Sequence, residues 1–305
     1  FFIFRLFWLR LKGAKILFTA GEPNLLSTLY NGIWAKLFGM KHIFHFWENI
    51  PYEQKDSGVK LFFKKLIIKA NIVFADGAIC GMRKAKTILM SFKPKFPVEV
   101  FLHAGFNTER FKPLSKSPIN KFTFLFVGAL SYRKGIHLAL EVLAELREKY
   151  PNLQFVIVGS GEHEERLKFK VQSLKLDGMV KFIPWLPNEE LPSIYNSADV
   201  FLYPSIPFEG WEERFGYSIA EASLCGLPVI STNSGSIYEV LKDGETGLMI
   251  QPNNKDELKN AMEKLVNDPE LRKKLGEKKS ARKFRAGSAG KSRQYFTGFW
   301  LAKRN

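Results

Sequence analysis

The run FTFLFVG, Phe122–Gly128, decides how this sequence reads. A strand with one wet face alternates apolar and polar residues. This run stays apolar for nearly its whole length, as a strand does when a parallel sheet buries it on both faces. It leads into SYRKG, Ser131–Gly135, and then into a helical pattern over Ile136–Tyr150. Strand, short polar loop and helix form the repeating unit of a parallel α/β sheet.

Working outward, the same kind of run recurs as KILFTA, HIFHFW, IVFADGAIC, VEVFLHA, QFVIVG, VKFIPW, DVFLYP, PVISTN and GLMIQP. Helical patterns lie between them, among them Glu189–Ser197, Ser218–Cys225 and Lys255–Asn267. The order predicts doubly wound α/β layers. Phe1–Lys12 reads as an amphipathic helix and Ala14–Ala20 as a buried strand. A domain seldom opens this way, so the first domain is expected to be truncated. FKPLSKSPINK, Phe111–Lys121, has two prolines, two serines and no apolar period, the marks of a linker. The expected domains are therefore 1–113 and 122–283, joined by a linker at 114–121 and followed by a basic tail at 284–305. Two such units predict a cleft, with ligand outside the carboxyl ends of the strands.

Composition narrows the classes. The 305 residues are 46% hydrophobic and 25% charged, with a net charge of +16. Cys80 and Cys225 are the two cysteines, too few for a disulfide framework, which points to a reducing, cytoplasmic setting. The apolar opening is broken by Arg5, Arg10 and Lys12 and falls short of the ~20 residues of a spanning helix. The basic excess lies at the two ends, with a neutral middle. Basic faces attract phosphate, whether in nucleic acid, lipid headgroups or lipid-linked sugars. No nucleic-acid motif accompanies the charge. KLFFKKLIIKA, Lys60–Ala70, sets lysines among apolar residues, the pattern either of an ordinary helix or of one lying on an anionic membrane face.

EERFGYSIAEA, Glu212–Ala222, sets Glu213 and Glu221 eight positions apart. On one continuous helix they would be ~12 Å apart along the axis and could not grip one small group. If the helix starts near Tyr217, Glu213 lies in the loop, Gly216 turns the backbone, and Glu221 lies within the first turns. The two carboxylates then reach different parts of an elongated, hydroxyl-rich ligand, and the helix N-terminus favours an anion between them. Alternatively, the acids merely favour the helix dipole. In SYRKG, Arg133 and Lys134 suit a diphosphate, or are two solvated charges at a turn. VGSGE, Val158–Glu162, lacks the third glycine of a dinucleotide fingerprint, because position 164 is Glu, and reads as a tight turn. FIPWLP, Phe182–Pro187, either places backbone near Trp185 beside a nucleotide base or is a strand end capped by prolines. Glu239 reads as structural. No Asp-x-Asp pair and no metal-spaced His/Cys cluster occurs, so no metal is expected.

Taken together, FVGALSYRKG, FVIVGSGEHEERLK, VKFIPWLPNEELPSIYNSADVFLYPS, the Glu213–Glu221 E-x7-E stretch, EASLCGLPVIST and the segment from GSIYEV to KLGEKK resemble the retaining glycosyltransferases of family 4, over about Phe122–Lys279. The first half resembles that family more loosely. The resemblance implies a GT-B fold, two Rossmann-like domains facing a cleft, whose second domain binds a UDP- or GDP-sugar. It implies that Glu213 contacts the donor sugar and Glu221 the ribose. The backbone at Phe215, Gly216 and Tyr217 would face sugar and phosphates, and Lys134 with Arg133 the diphosphate. Gly128 ends the first strand of that domain. The family often follows that glycine with arginine, where this chain has Ala129. A family histidine near the transferred sugar falls on His45 or His103, with His45 preferred, and Glu48 and Asn49 end the same strand. The implied reaction is retaining transfer to an acceptor hydroxyl of a lipid-linked or saccharide precursor, at the cytoplasmic membrane face. A GT-B sugar-nucleotide epimerase, or a degenerate protein that binds anionic surfaces, are the alternatives.

Overall fold

A computed structural model describes residues 2–101, 106–114 and 121–277. One compact unit comprises Phe1–His103 with Gly210–Arg214, and the other Ala104–Glu209 with Phe215–Asn305. His103, most of the expected linker and the basic tail at 284–305 lie outside the described residues.

In the first unit, α1 (Phe2–Leu11) precedes β1 (Ile16–Thr19), α2 (Leu26–Leu37), β2 (Lys41–Phe46) and the short α3 (Tyr52–Lys55). Then come α4 (Gly58–Phe74), β3 (Gly77–Cys80), α5 (Arg83–Met90) and β4 (Val98–Val100). The four strands run parallel in the order β1-β2-β3-β4. Phe44 pairs with Thr19 on one side and Ala78 on the other, and with Phe46, Ile68 and Cys80 it anchors the core.

The second unit holds β5 (Phe122–Val127), α6 (Ile136–Leu146), β6 (Leu153–Val158), α7 (Glu164–Ser173), β7 (Val180–Ile183), α8 (Leu191–Ser197) and β8 (Val200–Tyr203). It continues with α9 (Tyr217–Leu224), β9 (Val229–Thr232), β10 (Gly247–Ile250), α10 (Lys255–Asn267) and α11 (Pro269–Glu277). Its sheet is parallel, in the order β10-β9-β8-β5-β6-β7. The central strands are apolar on both faces, whereas β7, at the edge, carries the exposed Lys181, a charge that discourages edge-to-edge pairing. Chain order reverses between β5 and β8, the kind of switch point where parallel sheets open a crevice.

All ten expected strands are present, with shifted ends. IVFADGAIC begins as helix: Ile72–Phe74 complete α4, and the strand starts at Gly77. The turn at Asp76 is pinned because its carboxylate accepts the His42 backbone N–H at 3.0 Å. The pattern from Glu189 starts as a helix only at Leu191, with Pro192 in the first turn, where its missing N–H costs nothing. The α10 bounds match the pattern. Asn254 Oδ1 accepts the Glu257 N–H at 3.0 Å while its amide donates to the Glu257 carboxylate, a reciprocal cap. The opening helix differs in character from the expected amphipathic one. Leu6 is buried, but Phe4, Trp8 and Leu11 face outward.

Candidate functional site

The ends of the central strands of the second unit build the site. Gly128 N–H donates to Val158 O, and Gly159 N–H to Ile183 O, each at 3.0 Å, which draws the ends of β5, β6 and β7 together. Gly159 has φ +138°, and a Cβ there would lie 2.0 Å from the Gly128 carbonyl oxygen, so no larger residue fits. Above this floor is a cavity of about 410 Å³ lined by Gly128, Ala129, Ser160, Trp185 and Asn188. Trp185 is 69% exposed on its lip. The Ile183 carbonyl, in the same FIPWLP stretch, already accepts the Gly159 N–H. Gly159 of VGSGE is thus part of the floor, consistent with the reading of that stretch as a tight turn.

The loop after β5 meets the loop after β8 at the switch point. Tyr132–Lys134 form one 3-10 turn, and the Arg133 carbonyl accepts Ile206 N–H at 2.8 Å. Lys134 is buried, and its ammonium donates to the Tyr203 hydroxyl at 2.6 Å while lying 4.8 Å from that ring's centre. A buried ammonium must be paired or hydrogen-bonded. The Tyr203 phenol is one such partner, and it is neutral. Arg133 is half-buried on the same turn.

Next comes the helix start that the E-x7-E stretch predicts. Gly216 has φ +76°, a left-handed conformation that suits glycine, and caps α9. Phe215 is buried and packs its ring against Phe106 and Tyr217, so any role toward a ligand falls to its backbone. Tyr217 is half exposed. Glu221, in the second turn, accepts a hydrogen bond from Tyr195 OH at 2.8 Å. Burial raises its carboxyl above the usual range, and the tyrosine bond opposes that. One carboxylate oxygen is committed to Tyr195, which orients the group toward any further hydroxyl.

Glu213 belongs to the first unit, where it is buried and its backbone carbonyl accepts Asn49 Nδ2–H at 3.1 Å. His45 lies within β2, half-buried, with its ring 5.3 Å from that of Trp47. His42, near the start of β2, is wholly buried. Its Nε2 lies 3.0 Å from Thr19 Oγ1, and burial lowers its pKa to about 4. Glu48 accepts Lys55 at 2.8 Å and the backbone N–H of Asn49. The sequence holds no signal for three groups: Tyr203, Tyr195 and Glu22. Glu22, in the first unit, accepts the Trp47 N–H at 2.9 Å, and burial pushes its carboxyl up to about 7. Nothing in a lone tyrosine at a strand end, or in one glutamate before a proline, marks such a role. Among the described residues, no three His, Cys, Asp or Glu side chains group as metal ligands.

Two parallel-sheet α/β units of this order define the GT-B glycosyltransferase fold. HepE of Anabaena, solved with UDP, superposes at a TM-score of 0.79 and 18% identity, over 98% of this chain and 82% of that one. Sucrose-phosphate synthase of Thermosynechococcus elongatus superposes at 0.75 and 22% identity, over 99% and 78%. The chain belongs to the glycosyl transferases group 1 family, whose model matches residues 107–282, more than half of its length. It is 33% identical over 177 residues to D-inositol 3-phosphate glycosyltransferase of Corynebacterium jeikeium, covering 56% of this chain and 41% of that protein. It is 30% identical over 205 residues to the GDP-mannose-dependent alpha-(1-6)-phosphatidylinositol monomannoside mannosyltransferase of Mycolicibacterium smegmatis, covering 61% and 51%. The chain thus spans about half the length of these two relatives.

Proposed function

We propose that the chain is a retaining glycosyltransferase of the family 4 type, moving a hexose-like sugar from a nucleotide diphosphate to an acceptor hydroxyl. The observation that carries this reading is a pair of hydroxyl-held charges, the buried Lys134 on Tyr203 after β5 and the half-buried Glu221 of α9 on Tyr195. A cation and a carboxylate in such settings suit the diphosphate and the ribose of one molecule. Lys134, with Arg133, stabilises the departing diphosphate, and Glu221 holds the ribose hydroxyls. The backbone at Phe215, Gly216 and Tyr217 faces the phosphates. The Gly128 and Trp185 cavity takes the base, and Glu213 positions the sugar. His45 is the candidate histidine beside the transferred sugar. The reaction needs no metal, because Lys134 and the α9 start supply the positive charge. The leaving phosphate takes the acceptor's proton on the face it departs from, which retains configuration.

The relatives' names place their own activities on D-inositol 3-phosphate and on a phosphatidylinositol monomannoside, which supports an acceptor class of glycolipid or polysaccharide precursors. A cytoplasmic protein touching an anionic membrane face fits the outward apolar residues Val59, Phe62, Leu66 and Val73 of α4, among Lys60, Lys64, Lys65 and Lys69. No helix among the described residues is long and apolar enough to cross a membrane.

Calorimetric titration of UDP, GDP and ADP into the chain and into Glu221→Ala tests the reading. One diphosphate should bind, with affinity falling about tenfold or more in the variant. Equal affinity in both proteins would remove Glu221 from the site. An epimerase would convert the sugar nucleotide with no acceptor present, and a degenerate surface binder would bind liposomes but no nucleotide.

A further inference from the structure

Asn49 just follows β2 and is 1% exposed. Its side-chain amide donates to the Glu213 carbonyl at 3.1 Å and, with a longer bond of 3.4 Å, to the Glu212 carbonyl. Its own backbone N–H donates to Glu48 Oε1 at 3.0 Å, and the other Glu48 oxygen accepts Lys55 Nζ at 2.8 Å. Lys84 pairs with the Glu212 carboxylate at 2.5 Å. The segment so held, Gly210–Arg214, starts directly after Glu209, a non-glycine residue at φ +46°, and ends just before Gly216 at φ +76°. Left-handed turns bound the segment on both sides, and one buried amide holds its middle. Asn49 and Glu48, expected where substrate groups collect, thus include a side chain already committed to main chain. A buried amide with its N–H groups on one stretch of backbone fixes that stretch, because losing it leaves two carbonyls unpaired.

We infer that Asn49 is a positioning residue for Glu213, and through it for recognition of the donor's sugar. The inference rests on the proposed reading of Glu213 as the sugar-contacting carboxylate. Nucleotide and sugar are then read by separable parts. Glu221 and Lys134 hold the nucleotide end. Glu213, held through Asn49 and Lys84, reads the sugar. Removing Asn49's donors should cost sugar recognition and leave nucleotide affinity alone.

The test compares the dissociation constants of UDP, GDP and ADP with those of their glucose, N-acetylglucosamine and mannose derivatives. The proteins are the unaltered chain, Asn49→Ala, Asn49→Ser and Lys84→Met. The unaltered chain should prefer at least one sugar nucleotide over its bare diphosphate. Asn49→Ala should bind the diphosphate within about twofold of the unaltered chain and lose most of that preference. Asn49→Ser, which keeps one donor, should recover part of it. Lys84→Met, at a partly exposed pair outside the core, should lose a smaller share. The inference is overturned if Asn49→Ala keeps the preference, if it weakens diphosphate and sugar nucleotide equally, or if the unaltered chain has no preference. Absence of any diphosphate binding to the unaltered chain would instead sink the transferase reading, and this inference with it.

Discussion

The helices of the two units treat solvent differently. In α10 the buried face is Leu258, Ala261, Met262 and Leu265, and the outward residues are mostly charged or polar. Lys255 and Lys259 pair with Glu145 of α6 at 3.0 and 2.9 Å, and Glu263 pairs with Lys149 at 2.7 Å. In α4 the fully buried residues are Ile68 and Asn71, while Val59, Phe62, Phe63, Leu66 and Val73 face outward. Leu26, Tyr30 and Leu37 of α2 do the same. Both helices cover a parallel sheet, so fold does not explain the contrast. The proposed contact with an anionic membrane face falls on this stripe. Isolated surface ion pairs contribute little to stability, so the charges of α10 serve solubility more than cohesion.

The largest effect is expected in the core of the second unit. Phe201→Ala empties a wholly buried site in central strand β8 and should cost roughly 3–5 kcal/mol, read from chemical denaturation. A loss below about 1 kcal/mol would mean that β8 is not a core strand.

Glu22 comes next, through pH. Its carboxyl titrates near 7 in the folded chain, because burial outweighs the Trp47 N–H bond and the nearby Arg214 and Lys55, while Glu48 adds repulsion. The folded state therefore keeps a proton that the unfolded chain releases between about pH 4.5 and 7. Stability should fall as pH rises through that window, and the penalty is complete above it. Glu22→Gln removes the ionisation and should be more stable than the parent above pH 7, by roughly 1–3 kcal/mol, and equal to it below pH 4.5. A gain that is the same at both ends of that window would contradict this.

The smallest stability effect belongs to the exposed stripe. Phe62→Ser with Leu66→Ser should move the melting midpoint by no more than about 2 °C, since both side chains face outward. The same pair should cut co-sedimentation with phosphatidylglycerol vesicles several-fold. A large drop in melting temperature would mean that these residues are core and erase the contrast with α10.

Much of the fold was legible because parallel strands advertise themselves. FTFLFVG and DVFLYP hold no sustained polar alternation, and their short length and flanking Gly or Pro separate them from buried helix. Boundaries were less legible where an apolar run straddles two elements, as Ile72–Phe74 does in leaving α4 for the turn before β3. In the site, the glycine at 216 and the helix start behind it were readable from turn chemistry. The partners Tyr203 and Tyr195 were not. A lone tyrosine carries no pattern, and these two meet residues 69 and 26 positions away only when the chain folds. The assignment of Glu212 and Glu213 to the first unit was equally hidden, since no local signal reports which core a loop joins.

That last feature bears on how the chain is made. The first unit is complete only when Gly210–Arg214 joins Phe1–His103. On the ribosome, Asn49 emerges 164 residues before Glu213, and Lys84 emerges 128 residues before Glu212. The amide and the ammonium remain hydrated through that interval, and the unit's last native contacts form only after most of the neighbouring sheet has been synthesised. The order of synthesis therefore leaves Glu213 as one of the last residues of its unit to reach its place.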